Sequence, residues 1–95
     1  MCETVKKTED LKIKREVNSL TTLNDQLYVG YEECDEIEVF DMKDNKFNKL
    51  SSFKIPKLSS VQDMTSCSHY QCIYVADWMN KVVHRVENKI VRAHV

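Results

Sequence analysis

The chain of 95 residues has one glycine and one proline, few for a fold that must turn many times. Any tight turns therefore fall to Asn, Asp and Ser, which tolerate left-handed backbone or bond their own main chain. Apolar runs are only a few residues long, which excludes a membrane-spanning helix. The start, Met1-Cys2-Glu3-Thr4, lacks the apolar stretch of a secretory signal and a glycine for myristoylation. The expected compartment is thus the cytoplasm. Charge of one sign is missing too: 14 basic residues stand against 15 acidic ones. No global field draws the chain to nucleic acid or to an acidic membrane. What is present is 42% apolar and 31% charged residues, the composition of a globular segment. By residue chemistry alone the chain declares an architecture rather than an activity.

A repeat supplies that architecture. Val17-Asn18-Ser19-Leu20-Thr21-Thr22-Leu23 matches Val61-Gln62-Asp63-Met64-Thr65-Ser66-Cys67 in pattern, at an offset of 44. Leu27-Tyr28-Val29-Gly30 recurs as Ile73-Tyr74-Val75-Ala76 at an offset of 46, and residues 36–40 answer to 81–85 at 45. Every slip falls in a polar turn. A period near 45 suits a four-stranded propeller blade and also a helical repeat. The runs decide between them, being short, β-branched or aromatic, and bounded by turn residues. Strands are expected near 18–23, 26–31, 36–42 and 47–54, then near 61–67, 72–77, 81–86 and 89–94. The expected fold is all-β, a partial propeller of two four-stranded antiparallel blades. Residues 1–16 form a tail with a candidate outer strand at 10–16, residues 17–60 the first blade and crossover, and 61–95 the second blade. Two blades would leave both outer sheet faces bare, so self-association or further blades are expected.

The run Ile73-Tyr74-Val75-Ala76-Asp77-Trp78-Met79-Asn80-Lys81-Val82-Val83-His84-Arg85-Val86 resembles an NHL-type propeller repeat. That repeat has an apolar strand, Asp, a two-residue gap, Asn, a basic residue and another apolar strand. Val61-Gln62-Asp63-Met64 and the Cys67-to-Cys72 hairpin are also similar to NHL/YVTN-type propellers, some of them linked to tripartite-motif ubiquitin ligases. In the first unit Tyr31 stands where Asp77 does, and Asp35 where Asn80 does. The resemblance implies a blade from a ring of about six or seven, and a non-catalytic protein-binding role. The alternatives it leaves are RNA binding and the remnant of a propeller hydrolase or lyase.

The expected partner-contacting residues are Tyr70, Asp77, Trp78, Met79 and Asn80, because aromatics at loop tips favour interfaces. For Asp77 and Asn80 the motif itself is read first as turn-building, the Asp accepting from turn amides and the Asn tolerating left-handed φ, with contact to a partner as the alternative. Cys67 and Cys72 flank a hairpin and form a candidate disulfide, although reduced thiols fit the expected compartment better. Cys67, His69 and Cys72 fall short of a four-ligand zinc set. The acidic residues Glu32, Glu33, Asp35, Glu36 and Glu38 lack the spacing of a calcium loop. No cofactor or metal is expected. Lys6, Lys7, Lys12, Lys14 and Arg15 offer RNA a basic group, but Glu9, Asp10 and Glu16 interleave with it.

Overall fold

A computed structural model describes residues 4–13 and 15–87. Two antiparallel sheets follow one another along the chain. The first is a meander of β1 (Val17–Leu23), β2 (Gln26–Tyr31), β3 (Glu36–Asp41) and β4 (Asn48–Lys54), with a 3-10 turn at Lys43–Asn45 before β4. The second holds β5 (Asp63–Cys67), β6 (Cys72–Asp77) and β7 (Val82–Glu87), in that order. The strand expected at 89–94 lies outside the described residues. No strand forms among the described part of residues 10–16.

Turn chemistry shows how a chain with one glycine manages this meander. Asn24 and Asp25 both have positive φ, 54° and 62°, which gives the two-residue β1–β2 hairpin the twist its strands need. Asp44 also takes left-handed backbone, at φ 56°. Glu33, Lys57, Gln71 and Lys81 do so as well; Gln71 supports its turn by donating through Nε2 to the Ser68 carbonyl at 2.7 Å. In the β5–β6 turn it is thus Gln71, not Ser68, that adopts the unusual conformation.

The sheets pack face to face. Tyr28, Ile37 and Val39 of the first meet Met64, Ile73 and Val75 of the second, with Ile55, Leu58 and Val61 of the crossover between them. Ile37, Val61 and Val75 have no exposed surface. Each such side chain contributes about 1.5–3 kcal/mol by leaving water. Val61 seats on Gly30, where an added Cβ would lie 2.7 Å from Val61 Cγ1. Asn18 donates through Nδ2 to the Val61 carbonyl and ties β1 to the start of the second unit.

Strand pairing corrects the repeat alignment in one place. Gly30 pairs with Ile37, and Ala76 pairs with Val83. The third strands are therefore related by the same offset of 46 as the second strands, not by 45. A one-residue slip would exchange every inward and outward side chain of β7. With the register set, Cys34 rather than Asp35 occupies the position of Asn80.

The register also explains which surfaces meet. Ile73 and Val75, which face the first sheet, correspond to Leu27 and Val29. Those two face away from the second sheet. The units are thus related by a rotation that repeats one kind of interface, as in a propeller. The expectation that both outer faces are bare needs correcting. On the back of the first sheet, Leu27, Val29, Tyr31 and Phe40 form a second buried cluster, covered by Leu11 and Ile13 of the N-terminal segment with Met42 and Phe47. Val83, on the outer face of the second sheet, is 65% exposed.

Candidate functional site

Asp77 ends β6 with no exposed surface. Its Oδ1 accepts from Ser59 Oγ at 2.9 Å, and its Oδ2 accepts from Asn80 Nδ2 at 2.8 Å and from the Ser59 amide at 3.3 Å. His84 Nε2 lies 3.2 Å from the same Oδ2. Asn80 Nδ2 also donates to the Lys57 carbonyl at 2.7 Å. One carboxylate therefore holds the crossover, the 78–81 turn and β7 together. Burial on its own would raise the Asp77 carboxyl, but the donors from Asn80, His84 and Ser59 outweigh it and hold the group well below the usual carboxylate range.

The same four positions are joined in the first unit with different chemistry. Tyr31 stands for Asp77, Glu38 for His84, Cys34 for Asn80 and Arg15 for Ser59. Tyr31 donates its hydroxyl to Glu38, and the Arg15 guanidinium sits over the Tyr31 ring, 5.3 Å from its centroid. Arg15 also donates to Cys34 Sγ at 3.1 Å and lies 3.7 Å from Glu36. Burial, reinforced by the neighbouring Glu38, pushes the Tyr31 hydroxyl well above its ordinary range, so it remains a donor. The carboxyl of Glu38 is lowered by Tyr31 and then by Lys49, whose Nζ is 2.9 Å away. Both units thus pin the preceding segment to the end of their second strand.

This placement corrects part of the expected binding set. Asp77 is buried and its oxygens are occupied, so it belongs to the scaffold and does not offer itself to a partner. Asn80 is exposed, but its amide nitrogen is committed to Asp77 and Lys57. Trp78 and Met79 are 61% and 60% exposed at the turn they buttress. Tyr70 is equally open, but it lies in the β5–β6 turn at the opposite end of β6. There it contacts His69 edge-on at 4.7 Å and carries Arg85 over its ring. The structure does not bring Tyr70 to Trp78.

Cys67 and Cys72 face each other as the last pair of their hairpin, both as free thiols. Among the described residues, no group of three His, Cys, Asp or Glu side chains is arranged to hold a metal ion. Ser59, Asp77 and His84 do not form a nucleophilic relay. The carboxylate sits between hydroxyl and imidazole, whereas proton transfer needs the imidazole in the middle.

Two concavities lie between the sheets. A cleft of about 810 Å³ opens between β4 and β7, with Tyr28, Phe53, Ile55, Ile73 and Val86 among its walls. A smaller groove of about 450 Å³ runs between the 32–35 and 78–81 turns. No helix among the described residues is long and apolar enough to cross a membrane.

No family model and no curated protein matches the chain. Among solved structures it is similar to the crystal structure of a protein from Lactobacillus plantarum, with 19% identity and a TM-score of 0.60. The match covers 75% of this chain and 21% of that one, so the chain spans about a fifth of its neighbour's length. At that identity the likeness speaks for the fold alone: the two sheets are all-β and propeller-like.

Proposed function

We propose that the chain is a non-catalytic protein-interaction module, part of an NHL- or YVTN-like propeller whose turn-bearing end engages another protein. The observation that carries this reading is the pairing of exposed Trp78 and Met79 with the buried Asp77 network directly beneath them. Large apolar side chains held on a braced turn lose little conformational entropy on binding, which is how interface hot spots gain affinity. A role within a tripartite-motif ubiquitin ligase is compatible with this reading. RNA binding has less in its favour, since Arg15 is engaged by Tyr31, Cys34 and Glu36, and Lys7 by Asp10 at 3.4 Å. The reading as a hydrolase or lyase remnant needs converging carboxylates or histidines, and His84 is taken up by Asp77.

The double substitution Trp78→Ala and Met79→Ala separates binding from folding. Both side chains are largely in water, so stability should change by no more than about 0.5 kcal/mol. Proteins retained by immobilised wild-type chain should be lost from the variant, with affinity down by at least about thirtyfold for a hot-spot pair. Equal retention by both chains would overturn the assignment of this turn.

A further inference from the structure

Trp78 and Met79 form one wall of the 450 Å³ groove, and the other wall is Glu32 and Glu33. The repeat places them there. Glu32 and Glu33 occupy in the first unit the positions that Trp78 and Met79 occupy in the second, so equivalent turns of neighbouring sheets face one another. Ser59 and Ser60 of the crossover line it too. The Glu33 amide donates to Ser60 Oγ at 3.1 Å, and the Glu32 amide to the Glu16 carbonyl at 3.2 Å. The acidic wall is thus fixed through its backbone amides.

Charge in this groove is one-sided. Among the described residues none of Glu16, Glu32 and Glu33 has an ion pair. The Glu32 carboxyl is pushed up, first through its hydrogen bond with the Glu16 carboxyl and then by the charges around it. Trp78 lines the same groove as these carboxylates, and an indole attracts cations through the quadrupole of its ring. An apolar wall alone would leave the occupant open, whereas an aromatic sharing a groove with two carboxylates selects a positive charge on an apolar stem.

Resting on the interaction-module reading above, we propose that this groove is the docking site for a basic segment of a partner protein. A lysine or arginine side chain enters between Trp78 and the Glu32–Glu33 turn, with its methylenes against Met79. The groove's volume is ample for one such side chain and its backbone. The same carboxylates repel a phosphate backbone from this groove.

Trp78 is the sole tryptophan of the chain, so its fluorescence reports on the groove directly. The full chain is titrated with three peptides of equal length: one of repeated Arg-Gly-Ser, one with Glu for Arg, and one with Gln for Arg. The basic peptide is expected to change the emission saturably and to bind more weakly as salt rises. The double variant Glu32→Gln, Glu33→Gln should keep the wild-type Tm and raise the half-saturating concentration about tenfold, the equivalent of about 1.4 kcal/mol. Binding of the acidic or neutral peptide as strongly as the basic one would overturn the proposal, as would an unchanged half-saturation in the double variant. Failure of the basic peptide to bind would overturn it as well. Protein retention that still depends on Trp78 and Met79 would then show that the module reading stands without this ligand class.

Discussion

Asp77→Ala is expected to be among the most damaging single substitutions in the chain, lowering the midpoint of unfolding more than truncation of any one of its partners. Four donors converge on this carboxylate from three segments. Alanine would leave the Ser59 amide, Ser59 hydroxyl, Asn80 amide and His84 ring without their acceptor, and hydrogen bonds to a charged group are the costlier ones to lose. Ser59 and Asn80 are exposed and can turn to water, so the rest of the cost falls on the emptied buried position of Asp77. Ser59→Ala, which deletes one hydroxyl, should cost far less, with Asp77→Asn between the two. Thermal unfolding followed by circular dichroism gives the order. A pH arm isolates the charge. Because the folded carboxyl lies below its ordinary value of 3.8, the unfolded chain takes up the proton first as pH falls. The stabilisation is thus full above about pH 4 and is lost progressively below it. Asp77→Asn should show a shallower acid limb than the wild type. Identical limbs would mean that the carboxylate is not held by these donors.

Gly30→Val should destabilise by about 1–3 kcal/mol, the usual effect of forcing methyl groups into a packed interface, or roughly 4 °C or more in Tm for a chain of this size. The sign carries the test. In a plain strand, valine is favoured over glycine, so the substitution would stabilise. Here a Cβ would meet Val61 Cγ1 at 2.7 Å, and Val61 Cβ and Cγ2 at 3.0 Å, and Val61 has no exposed surface into which to retreat. Ala76 supplies the control. It holds the equivalent place in the second unit but on the outer sheet face and only partly buried, so Ala76→Val should stay within about 0.5 kcal/mol of wild type. A stabilised Gly30→Val chain would contradict the face-to-face packing of the two sheets.

The repeat was legible because strand identity is written in short apolar runs: β2 and β6 have the bounds that Leu27–Gly30 and Ile73–Ala76 indicate. The alignment of β3 with β7 was less so. Charged residues flank both strands, and Val82-Val83 offers two apolar positions where Ile37 is one, so pattern alone permits either register. Only pairing fixes it. The Asp77 network was half visible: the Asp and Asn are in the motif, but Ser59 and His84 reach the carboxylate across 18 and 7 positions of chain. The offset of 46 for the third strands was the missing signal for His84, which it aligns with Glu38. Ser59 answers to Arg15 at the first-strand offset of 44, and nothing in either residue type marks the pair. Leu11 and Ile13 do alternate with lysines as a strand would, yet they cover the back of the first sheet without pairing to it. Tyr70 shows a different gap. Both of its neighbouring strands were recognised, and following β6 from end to end places it away from Trp78. The groove between the two turns leaves no trace in the sequence, because Glu32 and Trp78 become neighbours only when the sheets pack.

Nuclear Overhauser contacts between the Val61 methyls and the Gly30 α-protons test the central claim most directly, because these groups touch only if one sheet lies on the other in this register. Gly30 is the one glycine in the chain, so its resonances are unambiguous. The account requires strong cross-peaks from both Val61 methyls to Gly30, accompanied by contacts from Met64 and Ile73 to Tyr28 and Val39. A folded chain with dispersed β-sheet resonances and no Val61–Gly30 contact would contradict it.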